Sequence, residues 1–137
     1  MMTAIDTNVL LDVLSEGSAF AEVSAAELSA AYDRGGLCIS PVVFAELSPH
    51  FESRKLIDSC LLELGIVVVC DEADTAWLAG QSWAAYRRQG GARARILADF
   101  LIGAHATVYA DALLTRDRGF YRQCFPRLRV IEPGTVL

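Results

Sequence analysis

The sequence predicts an α/β fold with a parallel five-stranded sheet in the order third-second-first-fourth-fifth. Three observations carry that expectation. Short apolar runs alternate with longer stretches of helical periodicity along the whole chain. The first run opens beside Met1 and hands over directly to a helix, as a central strand of a doubly wound sheet does. Hydrophobic residues fill 53% of the 137 positions and mean hydropathy is +0.34, which suits strands covered on both faces. The length fits one domain, residues 1–137, around a single core.

The opening strand, Thr3-Ala4-Ile5, ends at Asp6, and Thr7 to Leu14 reads as a short helix with Asp6 or Thr7 placed to cap it. Ser15-Glu16-Gly17-Ser18 is a turn. Ala19 to Arg34 has apolar residues at helical spacing (Phe20, Val23, Ala26, Leu28, Ala31) and stops at Gly35-Gly36. Leu37 to Ser40 is the second strand. Pro41 suits a helix start, and the helix runs on through Glu46 and Leu47 until Ser48-Pro49-His50 breaks the pattern. Phe51 to Leu64 forms the next helix, closed by Gly65. Ile66 to Cys70, continuous and β-branched, is the clearest strand. Asp71-Glu72-Ala73-Asp74 is an acidic entrance to a helix reaching Gln89. A basic, glycine-containing loop from Gln89 to Arg95 leads to an apolar helix, Ile96 to Tyr109. Ala112 to Thr115 is the fourth strand, Asp117 to Gln123 a short helix, and Leu128 to Ile131 the fifth strand.

The net charge of -5 argues against a nucleic-acid partner, but its distribution does not. Up to Asp74 there are thirteen acidic residues against three basic ones; from Thr75 on, nine arginines face four acidic residues. Arginine is the side chain best matched to phosphate in a bidentate fork. No run of about 18 apolar residues indicates a membrane span, and no signal peptide is evident. Cys38, Cys60, Cys70 and Cys124 form no CxxC pair and read as free thiols of a reducing cytoplasm.

Four carboxylates stand where a core would not place them. Asp6 ends the first strand, Glu46 lies in an apolar helical segment, and Asp99 is the only ionisable group between Ile96 and Gly103. Asp117 follows the fourth strand directly. In the expected strand order Asp6 and Asp117 share one sheet edge, and Glu46 and Asp99 project over it from helices. Desolvating an unpaired carboxylate costs several kcal/mol, and converging carboxylates repel one another. A hard divalent cation, Mg²⁺ or Mn²⁺, relieves both. Taken singly each acid has another reading: Asp6 and Asp117 as helix caps, Glu46 as the partner of an arginine, and Asp99, the hardest to dismiss, in a purely structural role.

The stretches Ala4-Ile5-Asp6-Thr7-Asn8-Val9-Leu10, Ser40-Pro41-Val42-Val43-Phe44-Ala45-Glu46-Leu47, Asp99-Phe100-Leu101-Ile102-Gly103-Ala104-His105-Ala106 and Leu114-Thr115-Arg116-Asp117-Arg118-Gly119-Phe120 resemble the four motifs of the PIN-domain nucleases. The resemblance is greatest to the VapC-type toxins of bacterial toxin–antitoxin pairs and runs the length of the chain. It implies a three-layer α/β/α sandwich, Mg²⁺- or Mn²⁺-dependent cleavage of RNA, and inhibition by a small VapB-like antitoxin. It carries catalytic and metal-ligand roles onto Asp6, Glu46, Asp99 and Asp117, with Asn8 and Thr115 supporting them. Gly103 stands where the family commonly has Ala, and is expected to allow closer approach beside Asp99.

The reaction expected is hydrolysis of an RNA phosphodiester by a metal-activated water. Arg93 and Arg95, just ahead of Asp99, and Arg116 and Arg118, flanking Asp117, are expected to hold the phosphate backbone. No histidine base is needed: His105 lies off the helical face of Asp99, and His50 follows a proline in a loop. Apolar residues such as Phe20, Trp77, Leu78 and Trp83 exceed what one small core needs and fit a homodimer or an antitoxin-filled groove, with extra core the commoner explanation. A haloacid-dehalogenase-like phosphatase needs a second Asp where Asn8 stands, and a phospho-receiver needs a strand-end Lys, whereas the only lysine is Lys55. A non-toxin PIN nuclease of RNA processing, and a silent binding module whose acidic cleft holds an arginine-bearing partner, stay open as alternatives.

Overall fold

In a computed structural model, which describes residues 1–91 and 95–134, all five strands join one parallel sheet. In chain order the strands are β1 (Met2–Ile5), β2 (Gly36–Ile39), β3 (Ile66–Val68), β4 (Ala112–Leu114) and β5 (Arg129–Ile131). The helices are α1 (Thr7–Leu14), α2 (Ala21–Arg34), α3 (Pro41–Leu47), α4 (Arg54–Leu64), α5 (Ala73–Arg88), α6 (Leu97–Tyr109) and α7 (Arg118–Cys124). The order is β3-β2-β1-β4-β5, as expected, so β1 is central and the chain reverses direction across the sheet between β3 and β4. Right-handed crossovers then place α2 and α4 on one face and α5, α6 and α7 on the other.

The core follows from strand composition. Ile5, Leu37, Ile39, Leu113 and Leu114 are all but inaccessible, covered on both faces. β3 is the exception. It stops at Val68 rather than Cys70, because its only neighbour, β2, ends at Ile39 before the helix that Pro41 begins. As an edge strand it buries Ile66 and leaves Val67 and Val68 open. Its β-branched run marks strand propensity, not burial.

Two helix starts are set by serines. Ser40 accepts the Val43 N–H, so α3 begins at Pro41 and carries Glu46 to the carboxyl edge of the sheet. Ser53 accepts the Leu56 N–H and delays α4 to Arg54, while Phe51 closes a short 3₁₀ turn over Ser48–His50. Gly65, with φ of 71°, ends α4 in the left-handed conformation that glycine adopts without strain.

Beneath the edge where the acidic residues gather, rings lock α5, α6 and α7 together. Phe100 lies 5.5 Å from Tyr86 and 5.2 Å from Phe120, and Phe120 lies 5.0 Å from Tyr121. Phe125 completes the cluster and explains Gly103: a Cβ there would run into the Phe125 ring. The glycine serves the packing of α6 on the segment after α7, not an approach beside Asp99. No helix among the described residues is long and apolar enough to cross a membrane, and the four cysteines are free.

Candidate functional site

The register of β1 on β4 pairs Ile5 with Leu114, so the residues that follow, Asp6 and Thr115, emerge together at the carboxyl edge. The Asp6 N–H still donates to the Leu114 carbonyl at 2.9 Å, which fixes its backbone as a continuation of the ladder. Its carboxylate is 6% exposed and surrounded by donors. Oδ1 accepts the Thr7 N–H at 2.8 Å; Oδ2 accepts the Thr115 hydroxyl at 2.7 Å and the Asn8 amide at 3.4 Å. Thr115 Oγ1 in turn accepts the Asp117 N–H at 3.0 Å, and Asn8 Oδ1 accepts the Arg116 N–H at 3.1 Å. Thr115 and Asn8 thus tie the turn after β1 to the turn after β4 through side chains alone.

Glu46 is exposed on α3 and accepts the Thr7 hydroxyl at 2.7 Å, one residue from Asp6. Asp99, half-buried in the first turn of α6, accepts the Ile96 N–H at 3.2 Å. Asp117 caps α7 by position and not through its side chain, which leaves the carboxylate to face Arg95. Arg95 grips it with both terminal nitrogens, Nη2 to Oδ1 at 3.0 Å and Nη1 to Oδ2. The same guanidinium stacks on Phe120, 4.2 Å from the ring centre.

The four acids fall into two mutually repelling couples. Burial pushes the Asp6 carboxyl above the usual carboxylate range; its hydrogen-bond donors oppose the rise, and the charge of Glu46 adds to it. Burial likewise raises Asp99, opposed by the Ile96 amide and Arg95 and reinforced by Asp117. Tyr121 links the couples. It is buried on α7 with its hydroxyl toward Asp6, and burial together with the charges of Asp6 and Asp99 holds it far above its ordinary titration range. The donor set is therefore all oxygen, hard and short of positive charge, which fits Mg²⁺ or Mn²⁺ and not a thiolate-seeking metal. As the side chains stand, no three of them among the described residues converge closely enough to grip one ion; Arg95 covers Asp117 instead.

The remaining arginines differ in their partners. Arg116 forks onto Asp12, with Nε to Oδ2 at 2.7 Å and Nη2 to Oδ1 at 3.1 Å, and lies 4.2 Å from the centre of the Phe20 ring. Asp12 is 5% exposed and also accepts the hydroxyls of Ser24 at 2.7 Å and Ser18 at 3.2 Å. Burial alone would raise the Asp12 carboxyl; the Arg116 and Ser24 donors outweigh it and hold it below the usual range. Arg118 pairs with Glu132 at 3.1 Å on the surface. Arg93 lies outside the described residues. An open groove of about 810 Å³, lined by Trp83, Arg87, Gly90, Gly91, Ile96 and Leu97, reaches the Arg95 that covers Asp117.

Asp12 and Tyr121 are the residues that sequence reasoning missed. Tyr121 had a signal: it follows Asp117 by four positions, one turn along the same helix. Asp12 had the signal of a lone acid among Val9, Leu10, Leu11, Val13 and Leu14, but its partner is 104 positions away. His105 is buried within α6 with Nε2 2.8 Å from the Val69 carbonyl, away from the acidic cluster, and His50 is exposed.

The family model for the PIN domain matches residues 3–126 of the chain. Among solved structures, VapBC2 from Rickettsia felis bound to a DNA fragment from its promoter superposes with a TM-score of 0.75 at 19% identity, covering 97% of this chain and 99% of that one. VapBC-1 from nontypeable Haemophilus influenzae gives a TM-score of 0.72 at 21% identity over 96% and 98% of the two chains. FitAcB from Neisseria gonorrhoeae gives 0.72 at 23% identity over 98% and 100%. At these identities the likeness is one of fold. No curated protein matches the chain in sequence.

Proposed function

The chain belongs to the PIN-domain family of nucleases, and from that membership and the acidic cluster we propose that it is a divalent-metal-dependent endoribonuclease, the toxin of a VapBC-type toxin–antitoxin pair. The observation that carries this reading is the gathering of Asp6, Glu46, Asp99 and Asp117 at one sheet edge, where burial first, and then the charge of Glu46 on Asp6 and of Asp117 on Asp99, raises the two aspartates that follow β1 and open α6. Such crowding costs stability unless a cation sits among the acids. Asp6, Glu46, Asp99 and Asp117 would hold Mg²⁺ or Mn²⁺, which when bound supplies an acidified water and offsets charge developing on the phosphate. Thr115, Asn8 and the Thr7 N–H orient Asp6 so that its oxygens keep one placement.

The groove beside α5 and α6 brings together Trp83, with the Arg87 guanidinium 5.1 Å over its ring, and Arg95, an aromatic and cations of the kind that track single-stranded RNA. Arg93 and Arg118 are proposed as further phosphate contacts from the sequence alone, Arg118 being paired with Glu132 at the surface; Arg116 serves the turn after β4 by holding Asp12. A VapB-like antitoxin is proposed as partner from the neighbours, which are toxin–antitoxin complexes, and a homodimer from the apolar surface the chain leaves open. The exposed Trp77 offers apolar surface for either. An arginine-bearing partner binding the acidic cleft is the second reading, favoured by one observation: Asp117 already accepts a guanidinium fork from within the chain. Purified protein incubated with single-stranded RNA and Mn²⁺ decides between them. Cleavage that EDTA stops and that Asp99→Asn abolishes supports the nuclease; full cleavage by Asp99→Asn, or none by the unaltered protein, overturns it.

A further inference from the structure

Arg95 has a second role that its proximity to Asp117 makes specific. It is the one cation that touches any of the four acids among the described residues, and it touches Asp117 through both oxygens. Its charge also reaches Asp99. The guanidinium is held from its other side by the Phe120 ring, which belongs to the aromatic cluster joining α5, α6 and α7. Pinned between a ring and a carboxylate, it has a defined resting place, not the mobility of a surface arginine.

We infer that Arg95 is a built-in competitor for the metal site: its guanidinium takes the Asp117 carboxylate that a divalent cation needs, and it must leave that carboxylate for the cation to bind. The inference rests on the four acids being the metal site. Its physical basis is direct. A fork donates to both oxygens of one carboxylate in the plane where a cation would draw on the same lone pairs. A guanidinium cannot be deprotonated, so it stays positive and repels an incoming divalent ion at contact distance. The pair is about one-third exposed on each side, 29% for Arg95 and 35% for Asp117, so water reaches it and the exchange needs no unfolding of the core. Once released, Arg95 remains on the wall of the groove lined by Trp83 and Arg87, where an incoming anion can pair with it. The contact thus keeps the acidic cluster partly neutralised in the resting protein and sets a threshold of cation concentration for activation.

The test is Mn²⁺ titrated by calorimetry into the full-length protein and into Arg95→Gln, Arg95→Lys and Asp99→Asn, with thermal melting of each as the control for folding. Removing the competing charge tightens Mn²⁺ binding roughly tenfold in Arg95→Gln, the size of one lost charge-assisted hydrogen-bonded contact. Arg95→Lys, which keeps the charge but not the fork, lies between. In the unaltered protein, Mg²⁺ addition shifts the ¹⁵Nε resonance of Arg95 as the fork opens. Equal Mn²⁺ affinity in the unaltered protein and Arg95→Gln, with binding lost in Asp99→Asn, overturns this inference and leaves the metal site standing. No Mn²⁺ binding by any of the proteins overturns the metal site itself, and this inference with it.

Discussion

Replacing Asp12 by Ala removes the most heavily bonded carboxylate outside the acidic cluster. Asp12 accepts two bonds from Arg116, one from Ser24 and one from Ser18. In the variant the wholly buried Ser24 hydroxyl loses its partner, and Arg116 keeps only the Phe20 ring. Breaking a buried pair by deleting one member costs about 3–5 kcal/mol. Because Arg116 is 32% exposed and rehydrates in part, the lower end applies, about 3 kcal/mol. For a domain of this size that lowers Tm by about 10 °C. The pH dependence supplies an independent check. The folded Asp12 carboxyl is held below its ordinary value of 3.8, so its contribution is full above about pH 4 and is lost as pH falls through the folded value. The gap in unfolding free energy between the unaltered protein and Asp12→Asn, measured by urea denaturation, should therefore be constant from pH 7 to 5 and shrink below pH 4. A loss under about 1 kcal/mol in Asp12→Ala, or a gap unchanged down to pH 3, refutes the pairing.

Other substitutions probe separate parts of the account. Gly103→Ala gains helix propensity but forces the Phe125 ring aside, and should lower stability by about 1–3 kcal/mol in chemical denaturation; a neutral or stabilising result contradicts the packing described. Tyr121→Phe removes a donor that favours the ionised form of Asp6, so that carboxyl titrates higher still, and the pH midpoint of Mn²⁺ binding should move up. An unmoved midpoint places the Tyr121 hydroxyl outside the site. Thr115→Val deletes the donor to Asp6 and the acceptor of the Asp117 N–H together, and RNA cleavage should fall at least tenfold while the melting curve stays cooperative. Cleavage at the unaltered rate removes Thr115 from the supporting set.

The strand order was legible because apolar runs, turn residues and the early central strand constrain a parallel sheet to few arrangements. Asp6, Glu46, Asp99 and Asp117 could be picked out because each is an acid in an apolar setting, and that is a local property of sequence. Pairing is not local. Arg116 and Arg118 both flank Asp117, yet one turns inward to Asp12 and the other outward to Glu132, and nothing in one sequence separates them. Gly103 was read through its neighbour Asp99, whereas its cause is a ring more than twenty positions later. Strand ends were misjudged where propensity outran partners: Val69 and Cys70 favour a strand, but β2 had already stopped. Asp12 is the one polar residue from Val9 to Leu14, but what it bonds, Arg116, lies 104 positions away.

Mn²⁺ binding to the unaltered protein, compared with Asp6→Asn and Asp99→Asn by calorimetry at neutral pH, tests the central claim most directly. Acids from two different couples at one sheet edge should both be needed: each single substitution abolishes or weakens binding at least tenfold while the fold, checked by circular dichroism, is retained. Undiminished Mn²⁺ affinity in either folded variant would contradict the assignment of the acidic cluster as a metal site.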